Sequence, residues 1–398
     1  MGPASLAGVA TGGFIVWVVL AVASLPAVGL TAVASRRHGE RRPVAAASAA
    51  YSALVLAMGL SLLTAGLGLA GLGPIFSFME TPPEVSSQGA GYLRVYLLGV
   101  PIVFAYFVLE AAFRASGDTR TPLRILLLSV TLNFVLDPLL IFGPGPVPAL
   151  GVEGVASATL LSRAIGCAIG YPLLARRGLI ARGRLDRPQM AAILRIGTPL
   201  ALGGVVFSLI YVVLTRITAP FGTAALAALG VGHRIEAVSY TVSLGFGAAA
   251  ATAVGQNLGA RSADRAEASG RSATLYATYV TLVAAALLLL APRELIGIFS
   301  RDPAVIELGA QYLLIVAASQ PFMARELVLE GAMGGAGYTL RPTLASMTLT
   351  GLRIPLAYGL AGLVGVIGIW ATIGVTAIAR GVAMSLFWRA GTWRTTSA

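Results

Sequence analysis

Apolar stretches long enough to cross a bilayer follow one another along almost the whole chain, and its charges are confined to the short breaks between them. In a bilayer every backbone N–H and C=O must be satisfied within the protein, so such stretches fold as helices. We predict eleven, near 6–34, 44–70, 92–112, 123–142, 152–174, 191–219, 224–254, 268–291, 304–332, 342–361 and 364–388. Most exceed the roughly 20 residues that a hydrocarbon core requires. Only 11% of the residues are charged, against about 25% in soluble domains. The expected fold class is therefore all-α: a polytopic membrane protein of about eleven transmembrane helices.

All 28 basic residues are arginine, and the net charge is +12. This balance does not point to nucleic acid, because nineteen of these arginines fall in alternate loops and in the tail, with two in the opposite loops. The first set holds Arg36, Arg37, Arg41 and Arg42, then Arg114, Arg120 and Arg124, then Arg176, Arg177, Arg182, Arg184, Arg187 and Arg195. By the positive-inside rule the C-terminus is cytoplasmic. The expected location is the plasma (inner) membrane, with the lipid bilayer as surroundings and a monomer as working unit. One cysteine and two histidines exclude internal disulfides and make a histidine metal centre unattractive. No phosphate-binding Walker loop and no catalytic constellation is present, so neither an enzyme nor an ATP-driven pump is expected.

The chain repeats itself at an offset of 220 residues. Tyr92, Leu93, Pro101, Val108, Leu109, Glu110, Ala112, Gly117, Thr119 and Pro122 recur as Tyr312, Leu313, Pro321, Val328, Leu329, Glu330, Ala332, Gly337, Thr339 and Pro342. Upstream, Gly39 and Arg41 meet Gly259 and Arg261. Both copies share the arginine-rich side, the pattern of parallel repeats in transporters. We expect an N-terminal lobe at 1–175 with five helices, a cytoplasmic linker at 176–190, and a C-terminal lobe at 191–398 with six. The helix 191–219 then lacks a counterpart, and charge topology agrees that one helix before residue 1 is missing. The expectation is a shortened copy of a twelve-helix protein.

Ionisable groups at membrane depth are functional candidates by default. Asp137 lies about fifteen residues into helix 123–142, or roughly 22 Å along it. Asn133 shares its face at i−4, and Pro138 frees a backbone carbonyl nearby. Carboxylate, amide and carbonyl oxygens suit Na⁺, and a desolvated carboxyl suits a shuttled proton. Asp137 and Asn133 are thus the candidate site for the coupling ion, H⁺ or Na⁺, and no other cofactor is expected. Glu110 is retained as Glu330 in the repeat, which fits a structural pairing with Arg114 as well as a role in coupling. His233 and Glu236, one turn apart, form either a neutralised pair or part of a cavity in the second lobe. Arg163 and Arg216 are expected to snorkel or pair. Tyr92, Tyr96 and Tyr106 suit packing or interface roles, with Tyr92 and Tyr106 kept as substrate-cavity candidates.

The assembled motifs resemble the multidrug and toxic compound extrusion (MATE) family, in its DinF-like branch. They are Arg114-Ala-Ser-Gly-Asp-Thr-Arg-Thr-Pro122, Asn133-Phe-Val-Leu-Asp-Pro138, Gly151-Val-Glu-Gly-Val-Ala-Ser-Ala-Thr159 and Gly255-Gln-Asn-Leu-Gly-Ala260. The resemblance implies two six-helix bundles and cation-coupled antiport of amphipathic organic cations or drugs by alternating access. It carries Asp137 and Asn133 onto the family's first-lobe ion site, Thr159 onto its sixth-helix threonine, and Tyr92 near a cavity tyrosine. The chain departs from the family in lacking the first helix with its second aspartate. It also has no acid within 191–219. The rival readings are a lipid-linked precursor flippase of the wider superfamily and a non-functional remnant.

Overall fold

The structure is a computed structural model and describes residues 3–78, 83–144, 148–181 and 185–396. Arg182 and Arg184 of the expected linker lie outside the described residues. Among the described residues there is no strand, and the chain is almost continuously helical. Among the described residues nine helices are long and apolar enough to cross a membrane, and two bent pairs raise the number to eleven. The chain divides into two compact units, Met1–Leu202 and Gly203–Ala398.

The first unit contains α1 (Pro3–Gly39), α2 (Pro43–Phe78), α3 (Pro83–Leu98), α4 (Val100–Ala115), α5 (Arg120–Phe142), α6 (Val152–Arg176) and the first half of α7 (Arg187–Thr218). α1 packs on α2, α3 and α4, and α6 packs on α3, α4 and α5. Leu93, Leu97, Phe104, Leu109 and Phe113 are fully buried between them. The divide falls inside α7, later than the 176–190 segment, and two glycines explain why. A Cβ on Gly29 would lie 2.3 Å from the Ile193 carbonyl oxygen, and one on Gly197 would lie 2.1 Å from that of Leu25. The reciprocal contact seats the start of α7 directly on α1. Where lipid removes most of the hydrophobic drive, such small-residue contacts let backbones approach and hold helices together.

The second unit contains the rest of α7, then α8 (Thr223–Gly259), α9 (Ala263–Leu290), the short α10 (Pro292–Gly297), α11 (Pro303–Ala317), α12 (Gln320–Gly335), α13 (Leu340–Gly351), α14 (Arg353–Val364) and α15 (Val366–Ala390). α12 lies at its centre, against α8, α9 and α15. The α8–α12 crossing depends on Gly247, Gly331 and Gly335. A Cβ on Gly335 would sit 2.0 Å from the Ala251 carbonyl oxygen, and one on Gly331 would sit 2.5 Å from that of Gly247. The outer faces are apolar: Leu127, Val130 and Phe134 on α5, and Tyr276, Val283 and Leu290 on α9, are exposed.

Two predicted spans, 92–112 and 304–332, are not straight. α3 and α4 meet at 52°, and α11 and α12 at 56°. The breaks fall immediately before Pro101 and Pro321, which the repeat pairs. Proline has no N–H for the helix and its ring displaces the carbonyl four residues back, so each span turns into two half-helices. The repeat is visible in the backbone too. Arg41 and Arg261 both adopt φ 58°, and Gly117 and Gly337 both turn through positive φ.

One ion pair closes the arginine-rich end of the first unit. In the loop between α4 and α5, Asp118 Oδ1 accepts from the backbone N–H of Arg120 and of Thr121, each at 3.0 Å. Its Oδ2 accepts from Arg177 at the end of α6. Partial burial pushes the Asp118 carboxyl up, but hydrogen bonds from Thr121 and Arg177 outweigh it and hold the group below its ordinary range. A depressed carboxyl contributes stability above its unfolded value, and the contribution is lost as pH falls through the folded value. We therefore expect Asp118→Asn to lower the thermal unfolding midpoint at neutral pH. The gap to the unsubstituted protein should close as the pH is lowered through the carboxylate range. A gap that is constant with pH would remove the ion pair as its cause.

Candidate ion and substrate site in the first lobe

α5 presents a stripe at four-residue spacing, Ile125, Ser129, Asn133 and Asp137, towards α6. Ile125 and Ser129 are buried and the two polar residues half-buried. The helices come close at this level because a Cβ on Gly154 would lie 2.7 Å from the Leu140 carbonyl. Asn133 Nδ2 donates to Asp137 Oδ1 at 3.5 Å and to Thr159 Oγ1 of α6 at 3.4 Å. Thr159 in turn donates to the Val155 carbonyl at 3.1 Å. Asn133 therefore sits between the two other oxygens. With its amide turned over, carboxylate, amide and hydroxyl oxygens would converge. Pro138 within α5 leaves the Phe134 carbonyl without its helical N–H.

Six acids elsewhere among the described residues are tied to arginine. Glu110 bonds Arg114 at 3.4 Å, one turn along α4, and is not brought into the Asp137 cluster. Glu40, Asp118, Glu267, Glu307 and Glu326 likewise hold arginines. Among the described residues, no arginine forms an ion pair with Asp137. Tyr92 is nine-tenths buried, packs on Gly12 of α1 and stacks on Tyr96 with ring centroids 6.2 Å apart. Tyr106 is buried, with Arg163 facing its ring at 6.0 Å.

The second lobe gathers a different set. His233 stands edge-on to Tyr211 at 4.4 Å and to Tyr312 at 5.8 Å, and Tyr312 meets Trp370 at 5.1 Å. Glu236 accepts hydrogen bonds from the Tyr312 hydroxyl and from Gln320 Nε2, the latter at 3.0 Å. It is thus held by neutral donors instead of the neighbouring Arg234. Two residues that the sequence reading did not single out belong here. Arg353 is fully buried and donates to Thr376 Oγ1 at 2.7 Å and to the Tyr211 hydroxyl at 2.9 Å. Arg380 pairs with Glu326 at 2.9 Å, and Ser346 donates to the same carboxylate oxygen at 3.1 Å. Both arginines lie in mid-span, which was the signal available. Asn133 and Asp137 map onto Arg353 and Ala357 in the repeat, so the two lobes carry opposite charge at that level.

Comparisons with known proteins bear on these sites. A profile of the family described as MatE matches residues 1–139 and 199–359. The "Probable multidrug resistance protein NorM" of Thermotoga maritima is 29% identical, over 98% of this chain and 85% of that protein. A "FAD transporter" of Shewanella oneidensis is 28% identical, over 84% of this chain and 75% of that protein. Among solved structures, the outward-facing conformation of a multidrug resistance MATE family transporter superposes with a TM-score of 0.92. It is 23% identical and covers 100% of this chain and 90% of the other, a likeness of fold.

Proposed function

This chain belongs to the MatE family, and from that premise we propose that it is a multi-pass membrane exporter of drug-like amphipathic organic cations, driven by inward movement of H⁺ or Na⁺. The observation that carries the reading is Asp137. It is an acid within an apolar span, free of any ion pair among the described residues, and one hydrogen bond from Asn133, which also reaches Thr159. A carboxylate without a basic partner has free capacity for a cation from outside. Hard oxygen ligands suit Na⁺, and a desolvated carboxyl suits a proton.

In this mechanism the ion enters Asp137 in the outward-open state. Its binding favours release of the organic cation and return to the inward-open state, by as much as its affinity differs between the two states. Tyr92 and Tyr106 offer aromatic faces for the cargo. Nineteen arginines on one side support a cytoplasmic C-terminus. Ethidium efflux from cells expressing the chain tests the reading. We expect efflux that slows when the proton gradient or the sodium gradient is collapsed. Efflux unaffected by collapse of both would overturn ion coupling.

A further inference from the structure

Arg163 does not behave as an arginine in the middle of a membrane helix usually does. It lies eleven residues from the start of α6 at Val152 and thirteen from its end at Arg176, so its head group does not reach either end of the helix. Among the described residues no carboxylate pairs with it. Its guanidinium lies over the Tyr106 ring, 6.0 Å from the centroid. One of its nitrogens, Nη1, is buried and makes no hydrogen bond, and the buried Tyr106 hydroxyl makes none either. The nearby Ser129 hydroxyl directs its own proton to the Ser162 carbonyl at 3.3 Å. Gly166 leaves room for this arrangement, since a Cβ there would lie 2.8 Å from the Tyr106 ring.

Two donors, one of them charged, lie together at membrane depth and bond no acceptor among the described residues. Unmade hydrogen bonds to a buried charged group are costly, and an intramembrane charge of this kind marks a ligand path. The group that completes such a set is an anion, and a carboxylate matches the planar guanidinium best. Arg163 also stands one turn from Thr159 on α6, on the same face. The guanidinium and the Thr159 of the Asn133–Thr159–Asp137 cluster are therefore neighbours on α6.

We propose that Arg163 and the Tyr106 hydroxyl form a carboxylate subsite, so that the first lobe takes zwitterionic amphipaths with the cationic end towards Asp137 and the carboxylate towards Arg163. This rests on the transport reading above and adds to it a second pole that selects cargo by its acid group.

The test uses purified full-length protein and two dyes of one skeleton, rhodamine B, which carries a free carboxylate, and its methyl ester, which is a plain cation. Binding is followed by fluorescence anisotropy. Arg163→Met should weaken binding of the free acid by about tenfold or more, the size of a charged hydrogen bond lost. Ester binding should stay within about twofold. Arg163→Lys should restore part of the loss, and Tyr106→Phe should weaken the acid alone, by about threefold. Each variant is first shown to be monodisperse by size exclusion. Equal losses for both dyes would assign Arg163 to structure and overturn the subsite, as would an unchanged affinity for the acid. Either result would leave ester transport through Asp137 standing. Failure of the unsubstituted protein to bind either dye would overturn the transport reading and this proposal with it.

Discussion

Asp137→Asn is expected to reduce gradient-driven ethidium efflux by about tenfold or more, corresponding to loss of a coupling free energy of about 1–3 kcal/mol. The amide keeps the size of the side chain and its hydrogen bond to Asn133, so helix packing is preserved. It cannot release a proton or neutralise a bound cation. Asn133→Ala and Thr159→Ala should give smaller losses, because each removes one neutral ligand and leaves the charge. The measurement is the initial rate of dye loss at matched expression, with an imposed proton or sodium gradient. Equal rates for Asp137→Asn and the unsubstituted chain would take Asp137 out of the mechanism.

Gly335→Leu should all but abolish the yield of folded protein. Its Cβ alone would sit 2.0 Å from the Ala251 carbonyl oxygen, and that oxygen belongs to the backbone of α8. A flexible side chain could move aside, but a helix backbone moves only with its neighbours. α8 is fixed a turn away by the Gly331–Gly247 contact. Overpacking of this kind costs about 3 kcal/mol or more, a large share of the roughly 5–15 kcal/mol that holds a domain together. Gly359→Ala is the control, because nothing lies within 4 Å of a Cβ there. Size-exclusion profiles of the detergent-solubilised protein would show a monodisperse peak for the control and aggregate for Gly335→Leu. A monodisperse Gly335→Leu protein would mean that α8 and α12 pack less closely than described.

What could be read from the chain alone follows the range of each interaction. The helices were legible because hydropathy is local, and Asn133 was legible beside Asp137 because helical spacing puts residues four apart on one face. Thr159 required the family motif, since it lies 26 residues from its partner. The network around Glu236 was not legible. Its donors Tyr312 and Gln320 are 76 and 84 residues away, and no local pattern brings them together. Pro101 and Pro321 were visible as a repeated pair, yet the breaks they impose were missed because the flanking residues are apolar enough to pass as one straight span. Arg163 was expected to snorkel or pair with an acid. Its position in mid-helix prevents the first, and the described residues offer no acid for the second.

The paired turns at Arg41 and Arg261 carry a consequence for how the two halves diverged. Both residues hold a left-handed backbone, a conformation that costs a side-chain-bearing residue about 1–2 kcal/mol. Their neighbours close the same main-chain pattern. Glu40 and Ala260 bond the carbonyls of Arg36 and Gln256, and Arg42 and Ser262 bond those of Arg37 and Asn257. Yet Glu40 and Ala260, or Arg42 and Ser262, share no side-chain chemistry. Descent from a duplicated ancestor would have kept a backbone template and released the side chains, which is how one half could carry Asp137 against Ala357 and the other Arg353 against Asn133. For chain engineering, the two turns are matched splice points at which one half's connection can close the other's helices.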